Sequence, residues 1–254
     1  MTAVVEVERL RMGYGQRVLL DDASFSVQQG EIVALLGGSG SGKSSLMKLL
    51  TGLFRPLAGD IRLFGQSIVM ATPAERAALQ RRIGVMYQQG ALFGSLTALQ
   101  NVRFPLDRFT DLPREARDAI AMLQLDTVEM AAAAHRRPAE LSGGMVKRVA
   151  IARALALGAR LLFLDEPSAG LDPITSANLD ETLLDLRERF GLTLVVVTHE
   201  LDSIFRIADR ALMLDAASHR LVADGAPAEL RDHCPLPMVR QFFRRQPDHP
   251  GGLP

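Results

Sequence analysis

Short apolar, β-branched runs alternate with helical periodicity along most of the chain. Val4–Leu10, Ser24–Val27, Ile32–Leu36, Asp60–Leu63, Ile83–Met86, Leu161–Leu164, Leu192–Thr198, Ala211–Asp215 and Leu221–Ala223 read as strands. The early ones, around Gly13, Gly30 and Gly59, predict an antiparallel meander. The later ones are apolar throughout, which predicts parallel strands covered on both faces. Thr72-Pro73-Ala74-Glu75 is a capping box with proline in the first turn. Asp172-Pro173 opens a helix predicted to run through Arg189 and to stop at Gly191. From about Ala98 to Leu157 the pattern is almost purely helical, which breaks the alternation. That block predicts a helical lobe inserted into an α/β domain. The expected division is 3–88 with 158–232 for the sheet core, 89–157 for the lobe and 233–254 for a tail. In the tail, Met238–Arg245 predicts one short amphipathic helix, and roughly the last eight residues are expected to be disordered.

The chemistry is concentrated between the strand Ile32–Leu36 and the helical stretch that follows it. Residues 37–44 read GGSGSGKS, which fits G-x-x-x-x-G-K-[ST]. A strand feeding a glycine loop that opens a helix is a phosphate cradle. The glycines let backbone N–H groups turn inward, and the helix start adds free donors and a positive dipole end. The predicted nucleotide contacts are Gly37, Gly38, Ser39, Gly40, Ser41, Gly42, Lys43, Ser44 and Ser45. Lys43 would reach the β/γ-phosphates, and Ser44 would bind Mg²⁺.

A second apolar strand, Leu161–Leu164, ends in Asp165 and Glu166. Asp165 fits a carboxylate that helps hold Mg²⁺. Glu166, one residue on, points elsewhere and can polarise a water aimed at the γ-phosphate. A third motif, Leu141-Ser142-Gly143-Gly144-Met145, opens a helix with Ser142 as N-cap and two glycines that expose backbone N–H groups. One chain already has a complete cradle. The simplest use of the second anion-binding helix start is to cover a nucleotide held by another copy, in a head-to-tail dimer. His199 follows a strand, where α/β folds place ligands; it is either a contact to the γ-phosphate and water or a structural histidine. Gln88, at another strand end, is a candidate Mg²⁺ or water contact. Tyr14 either stacks on an adenine ring or is a surface turn residue.

Bulk properties narrow the setting. The chain has 254 residues, 48% of them hydrophobic, enough for one α/β domain and a smaller lobe. Its formal net charge is zero, so nothing steers it generally toward nucleic acid. The single cysteine, Cys234, excludes an internal disulfide and is expected to have no redox role. No apolar run approaches the roughly 20 residues that span a bilayer. The N-terminal residues lack a basic-then-apolar export signal. A cytoplasmic protein, or one held at a membrane only through a partner, is expected.

In chain order, Tyr14, GGSGSGKS, Gln88, LSGGM, LLFLDEP, Ser168-Ala169-Gly170-Leu171-Asp172 and His199 resemble the ATP-binding-cassette (ABC) ATPases over residues 3–230. That resemblance implies a P-loop NTPase fold: a RecA-like core with an antiparallel β subdomain and an inserted α-helical subdomain. It implies a sandwich dimer, with ATP and Mg²⁺ between one chain's phosphate loop and the other's Ser142, Gly143 and Gly144. By the same resemblance Glu166 is the catalytic base, His199 the switch histidine, Gln88 the hinge toward a membrane partner, and Asp172 the cross-dimer link. Met145 stands where the family signature usually ends in glutamine, and Gly38 where many relatives have proline. With Met145, the stretches Gln88–Phe93, Asp172-Pro173-Ile174-Thr175 and LSGGMVKRVAIARALAL are similar to the ATPase subunit of the maintenance-of-lipid-asymmetry (Mla) system. This implies phospholipid trafficking in a diderm bacterium, peripheral placement on the cytoplasmic face of the inner membrane, a permease, and partners of the MCE and STAS types. Val239–Phe243 is then either a remnant of a C-terminal grip on the opposite subunit or ordinary packing on its own domain. A soluble nucleotide-gated cassette is the alternative, but such proteins carry long insertions or paired cassettes that are missing here.

Overall fold

The computed structural model describes residues 2–246. Two sheets meet in its core. The smaller is built from β1 (Ala3–Tyr14), β2 (Arg17–Gln28), β4 (Ala58–Leu63) and β5 (Gln66–Ser67), in the order β2-β1-β4-β5 and wholly antiparallel. The larger has the order β10-β9-β3-β8-β7-β6. Its strands are β3 (Ile32–Gly37), β6 (Ile83–Met86), β7 (Leu161–Asp165), β8 (Thr193–Val197), β9 (Arg210–Asp215) and β10 (Arg220–Gly225).

Strand β7 shows why its sequence is apolar throughout. Leu161 and Phe163 face one core, shared with the small sheet and α1 (Lys43–Leu50). Leu162 and Leu164 face the other, built with α3 (Ala98–Phe109), α4 (Arg114–Thr127), α5 (Gly143–Leu155) and α6 (Pro173–Phe190). With both faces covered, alternation disappears. Each such buried side chain contributes about 1.5–3 kcal/mol of transfer free energy. A third cluster joins β9 to α7 (Leu201–Ile207), α8 (Pro227–His233) and α9 (Pro237–Phe243).

Three expectations need correction. The strands β1 and β2 are each 12 residues long, well beyond Val4–Leu10 and Ser24–Val27. Register shifts and left-handed residues at Arg9 (φ 44°) and Asp22 (φ 53°) interrupt their alternation, which hides their length. The small sheet is also not a simple meander: β3, the next strand after the β1–β2 hairpin, leaves for the parallel sheet, and β4 returns to β1. Finally, β10 pairs antiparallel with β9, because the Ala216–His219 turn is too short for a crossover.

The other elements follow their signals. Thr72 closes its capping box with Glu75 at the start of α2 (Pro73–Gln80). Asp172 caps α6, and Gly191 ends it in the left-handed conformation. The tail helix α9 begins and ends slightly earlier than expected. Its Val239 and Phe243 are buried against their own domain, with Phe243 5.8 Å from the Phe205 ring. Cys234 is buried in the same cluster. The expectation for the last eight or so residues lies outside the described region.

Candidate nucleotide site

The phosphate loop joins the buried strand β3 to α1. Gly37, Gly40 and Gly42 have φ of 143°, 78° and 96°, so the loop turns where only glycine goes without strain. A Cβ on Gly37 would lie 2.3 Å from the Leu214 carbonyl oxygen, so this position also demands glycine for space. Lys43 Nζ curls back over the loop and donates to the carbonyls of Gly37 (2.7 Å) and Gly38 (3.0 Å). Ser41 Oγ is buried without a hydrogen-bond partner. Gly38, Ser39, Gly40 and Ser44 are exposed around the hollow. Ser45, the third residue of α1, shares a 3.1 Å hydrogen bond with Tyr14 Oη. The Tyr14 ring meets Phe54 edge-on at 6.0 Å. Tyr14 and Phe54, with Met12, Gly13, Ser45 and Leu49, line a cavity of about 200 Å³ beside the loop.

Two neighbouring strand ends supply the acids. Asp165 ends β7 and is half-buried. Burial, then the adjacent Glu166, pushes its carboxyl above the usual carboxylate range, while Lys48, Lys43 and Lys147 pull against that. Burial likewise lowers the Lys43 ammonium, and Glu166 and Asp165 hold it up. Glu166 has φ 49°, a left-handed conformation for a residue with a Cβ. Its N–H donates to Val197 O at 2.8 Å. One carboxylate oxygen, Oε1, meets His199 Nδ1 at 2.9 Å; the other, Oε2, is buried with no partner. His199 itself is exposed at the end of β8.

Gln88 stands exposed after β6 on a loop that the lobe fastens. Arg153 of α5 donates to the carbonyls of Gly90 (2.6 Å) and Ala91 (2.8 Å), and Lys147 of α5 donates to Gln88 O. Sequence reasoning missed Lys147 and Arg153. The only signal is positional: Lys147 falls on the same buried stripe of α5 as Gly144 and Ile151.

The structure gathers Tyr14, residues 37–45, Asp165, Glu166 and His199 around one hollow. Ser142, Gly143 and Gly144 are not joined to it. Ser142 caps α5, with Met145 N donating to Ser142 Oγ at 3.3 Å, and Ser142 and Gly143 are exposed. Asp172 lies apart as well; its carboxylate accepts from the N–H groups of Ile174 and Thr175 at 3.0 Å each, capping α6. Among the described residues no group of three His, Cys, Asp or Glu could hold a metal, and no helix is long and apolar enough to cross a membrane. A lone carboxylate, a serine hydroxyl and substrate phosphates are the donor set that suits Mg²⁺. Buried Oε2 and Ser41 Oγ without partners also fit a hollow completed by a ligand.

These features define a P-loop ATPase. The ABC transporter family model matches residues 20–169, and the chain belongs to that family. It is an ATP-hydrolysing subunit whose turnover is coupled to transport. It is 36% identical over 247 residues to the intermembrane phospholipid transport system ATP-binding protein MlaF of Haemophilus influenzae, covering 97% of this chain and 92% of that one. It is also 38% identical over 230 residues to the methionine import ATP-binding protein MetN of Caulobacter vibrioides, covering 91% of this chain and 68% of that one. Among solved structures it resembles the ATP-binding cassette MJ0796, a dimer in a post-hydrolysis state bound to ADP and Pi. That likeness has a TM-score of 0.78 at 30% identity and covers 87% of this chain and 98% of that one.

Proposed function

We propose that this chain powers phospholipid trafficking between the two membranes of a diderm bacterium. It works as a homodimer on the cytoplasmic face of the inner membrane, held there by a permease and served by MCE- and STAS-type partners. The similarity to MlaF over nearly the whole of both chains supports this cargo. A transporter of another cargo is the second reading, favoured by a MetN relative of slightly higher identity that the chain covers less fully. An apolar groove of about 320 Å³, lined by Val85, Phe93, Phe104, Pro105, Phe109 and Leu157, is the seat for a cytoplasmic helix of the permease. It adjoins the Gln88 loop through Phe93 and Arg153, so a change at Gln88 reaches the groove.

The observation that carries the chemistry is the Glu166 carboxylate, half engaged by His199 and half free. Glu166 Oε2 takes a proton from a water as the water oxygen bonds to the γ-phosphorus. The bridging P–O bond breaks, its electron pair leaves with ADP, and the proton passes on to the released products. His199 orients the carboxylate and contacts the γ-phosphate. Lys43 and the start of α1 hold the triphosphate charge. Ser44, Asp165 and Gln88 would hold Mg²⁺, which when bound neutralises charge on the β- and γ-phosphate oxygens. Tyr14 carries the adenine. Ser142, Gly143 and Gly144 come from the partner copy, and Asp172 lies at the joint between the two chains.

The test is Glu166→Gln. Its kcat is expected to fall by about a hundredfold or more while ATP affinity stays. Steady-state hydrolysis at the wild-type rate would reject Glu166 as the base. For the cargo, ATP-dependent transfer of labelled phospholipid by the assembled complex is expected; uptake of an amino acid instead would favour the second reading.

A further inference from the structure

The signature helix α5 sends a buried cation into the sheet domain. Lys147 is 6% exposed, and burial lowers its ammonium below the ordinary lysine value, with Glu166 and Asp165 partly restoring it. Buried ammonium groups are retained where their donors are used. Here they are: Lys147 Nζ donates to the Gln88 carbonyl and, at 3.3 Å, to the Glu166 carbonyl. Those two carbonyls belong to separate segments that leave the sheet at the ends of β6 and β7, which lie side by side.

Glu166 needs such support. Its left-handed φ of 49° persists only if its surroundings over-determine it. Four contacts do so: N–H to Val197 O, carbonyl to Lys147 Nζ and to the Ala169 N–H, each at 3.3 Å, and carboxylate to His199. Val197 and His199 belong to the sheet domain. Lys147 belongs to α5, whose first turn carries Ser142 and Gly143. Neither carbonyl advertises itself in the sequence, because any residue supplies one.

We propose that Lys147 is a positioning residue: from the signature helix it fixes the backbone of Glu166 and ties it to the Gln88 loop, so that the aim of the base depends on where that helix sits. This rests on the reading of Glu166 as the base. A cation in this role reports the position of the lobe, and with it the engagement of Ser142, to the reacting centre of its own chain. The Gln88 end of the same contact carries that position toward the permease groove.

The full chain with Lys147→Met keeps an unbranched apolar stem but loses the donors. Its kcat is expected to fall by about tenfold or more, as a small misplacement of a base does. Its KM and its Kd for ATP are expected to stay within about twofold of wild type. Lys147→Gln, which keeps N–H donors on a shorter arm, is measured alongside and is expected to fall between the two. Melting temperatures are recorded for both. In single turnover, adding Lys147→Met to Glu166→Gln is expected to cost little more, because the step it serves is already gone. A wild-type kcat in either folded variant overturns the proposal. So does an additive loss in the double variant, or a weakened Kd for ATP that accounts for the whole effect. If Glu166→Gln itself hydrolyses normally, the base assignment fails first. If it is inactive while Lys147→Met turns over like wild type, only the Lys147 inference falls.

Discussion

Lys43, Asp165 and Glu166 share a small, half-buried volume in which the two acids hold up the Lys43 ammonium and Glu166 adds to the rise of Asp165. Burial works against the charge on Lys43 and Asp165, and their mutual attraction offsets this only in part. Such a balance suits a site that receives a highly charged triphosphate, since the ligand completes pairings the protein leaves open. Tyr14 is arranged differently: its ring is fixed at one end by Ser45 Oγ and at its edge by Phe54. A ring held in place loses little entropy on stacking. Tyr14→Ala is therefore expected to weaken ATP affinity by about tenfold, from a stacking contribution of about 1–3 kcal/mol, with kcat at saturation unchanged. Titration with a fluorescent ATP analogue reads this directly, and an unchanged Kd would put the adenine elsewhere. At this scale the sequence was a partial guide. GGSGSGKS is contiguous and its geometry is backbone-determined, so its placement is legible. Lys147 and Arg153 act on the carbonyls of Gln88, Gly90, Ala91 and Glu166, and a backbone carbonyl has no residue signature.

Between elements, the link of most consequence is the buried Asp180. It joins α6, which Asp172 caps, to α7, which follows His199. Its Oδ1 accepts from Ser203 Oγ at 2.6 Å, and Arg206 lies 3.8 Å from Oδ2. Burial pushes the Asp180 carboxyl above the usual carboxylate range, with Ser203 and Arg206 pulling it back. The folded state thus holds this proton more tightly than the unfolded chain does. The contribution of Asp180 to stability is greatest at acid pH, below its unfolded pKa. It declines as pH rises from there to the raised folded value, and is flat beyond. Asp180→Asn keeps an acceptor for Ser203 and removes the charge. It is expected to melt higher than wild type at neutral pH, the gap closing on acidification. A lower melting temperature at neutral pH would show that the pair with Arg206 outweighs burial. The elements themselves were largely readable, because caps such as Thr72 and Asp172 and the two-faced apolar strands leave local marks. The bulged lengths of β1 and β2 were not, since Arg9 and Asp22 break the alternation that marks a strand. Leu221–Ala223 was readable as a strand, but the antiparallel direction of β10 was not, because its few residues look the same in either direction.

For the whole molecule, what matters is what one chain leaves undone. Its phosphate loop, acids and histidine converge on a single hollow, while Ser142 and Gly143 open α5 at an exposed end of the helix. Gly144, next to them, allows α5 to approach α6: a Cβ there would lie 2.5 Å from Thr175 Cγ2. Leu171, just before Asp172, packs beside Gly143, so the signature and the α6 cap form one continuous surface. A second copy turned head to tail would set that surface over the first copy's ATP. The measurement that tests this most directly is solution mass, by light scattering, of Glu166→Gln with Mg²⁺ and ATP. The account predicts a doubling of mass on adding ATP, abolished by Ser142→Arg in the same background although that chain still binds ATP. A chain that stays monomeric with ATP bound, while wild type hydrolyses at full rate as a monomer, would contradict it.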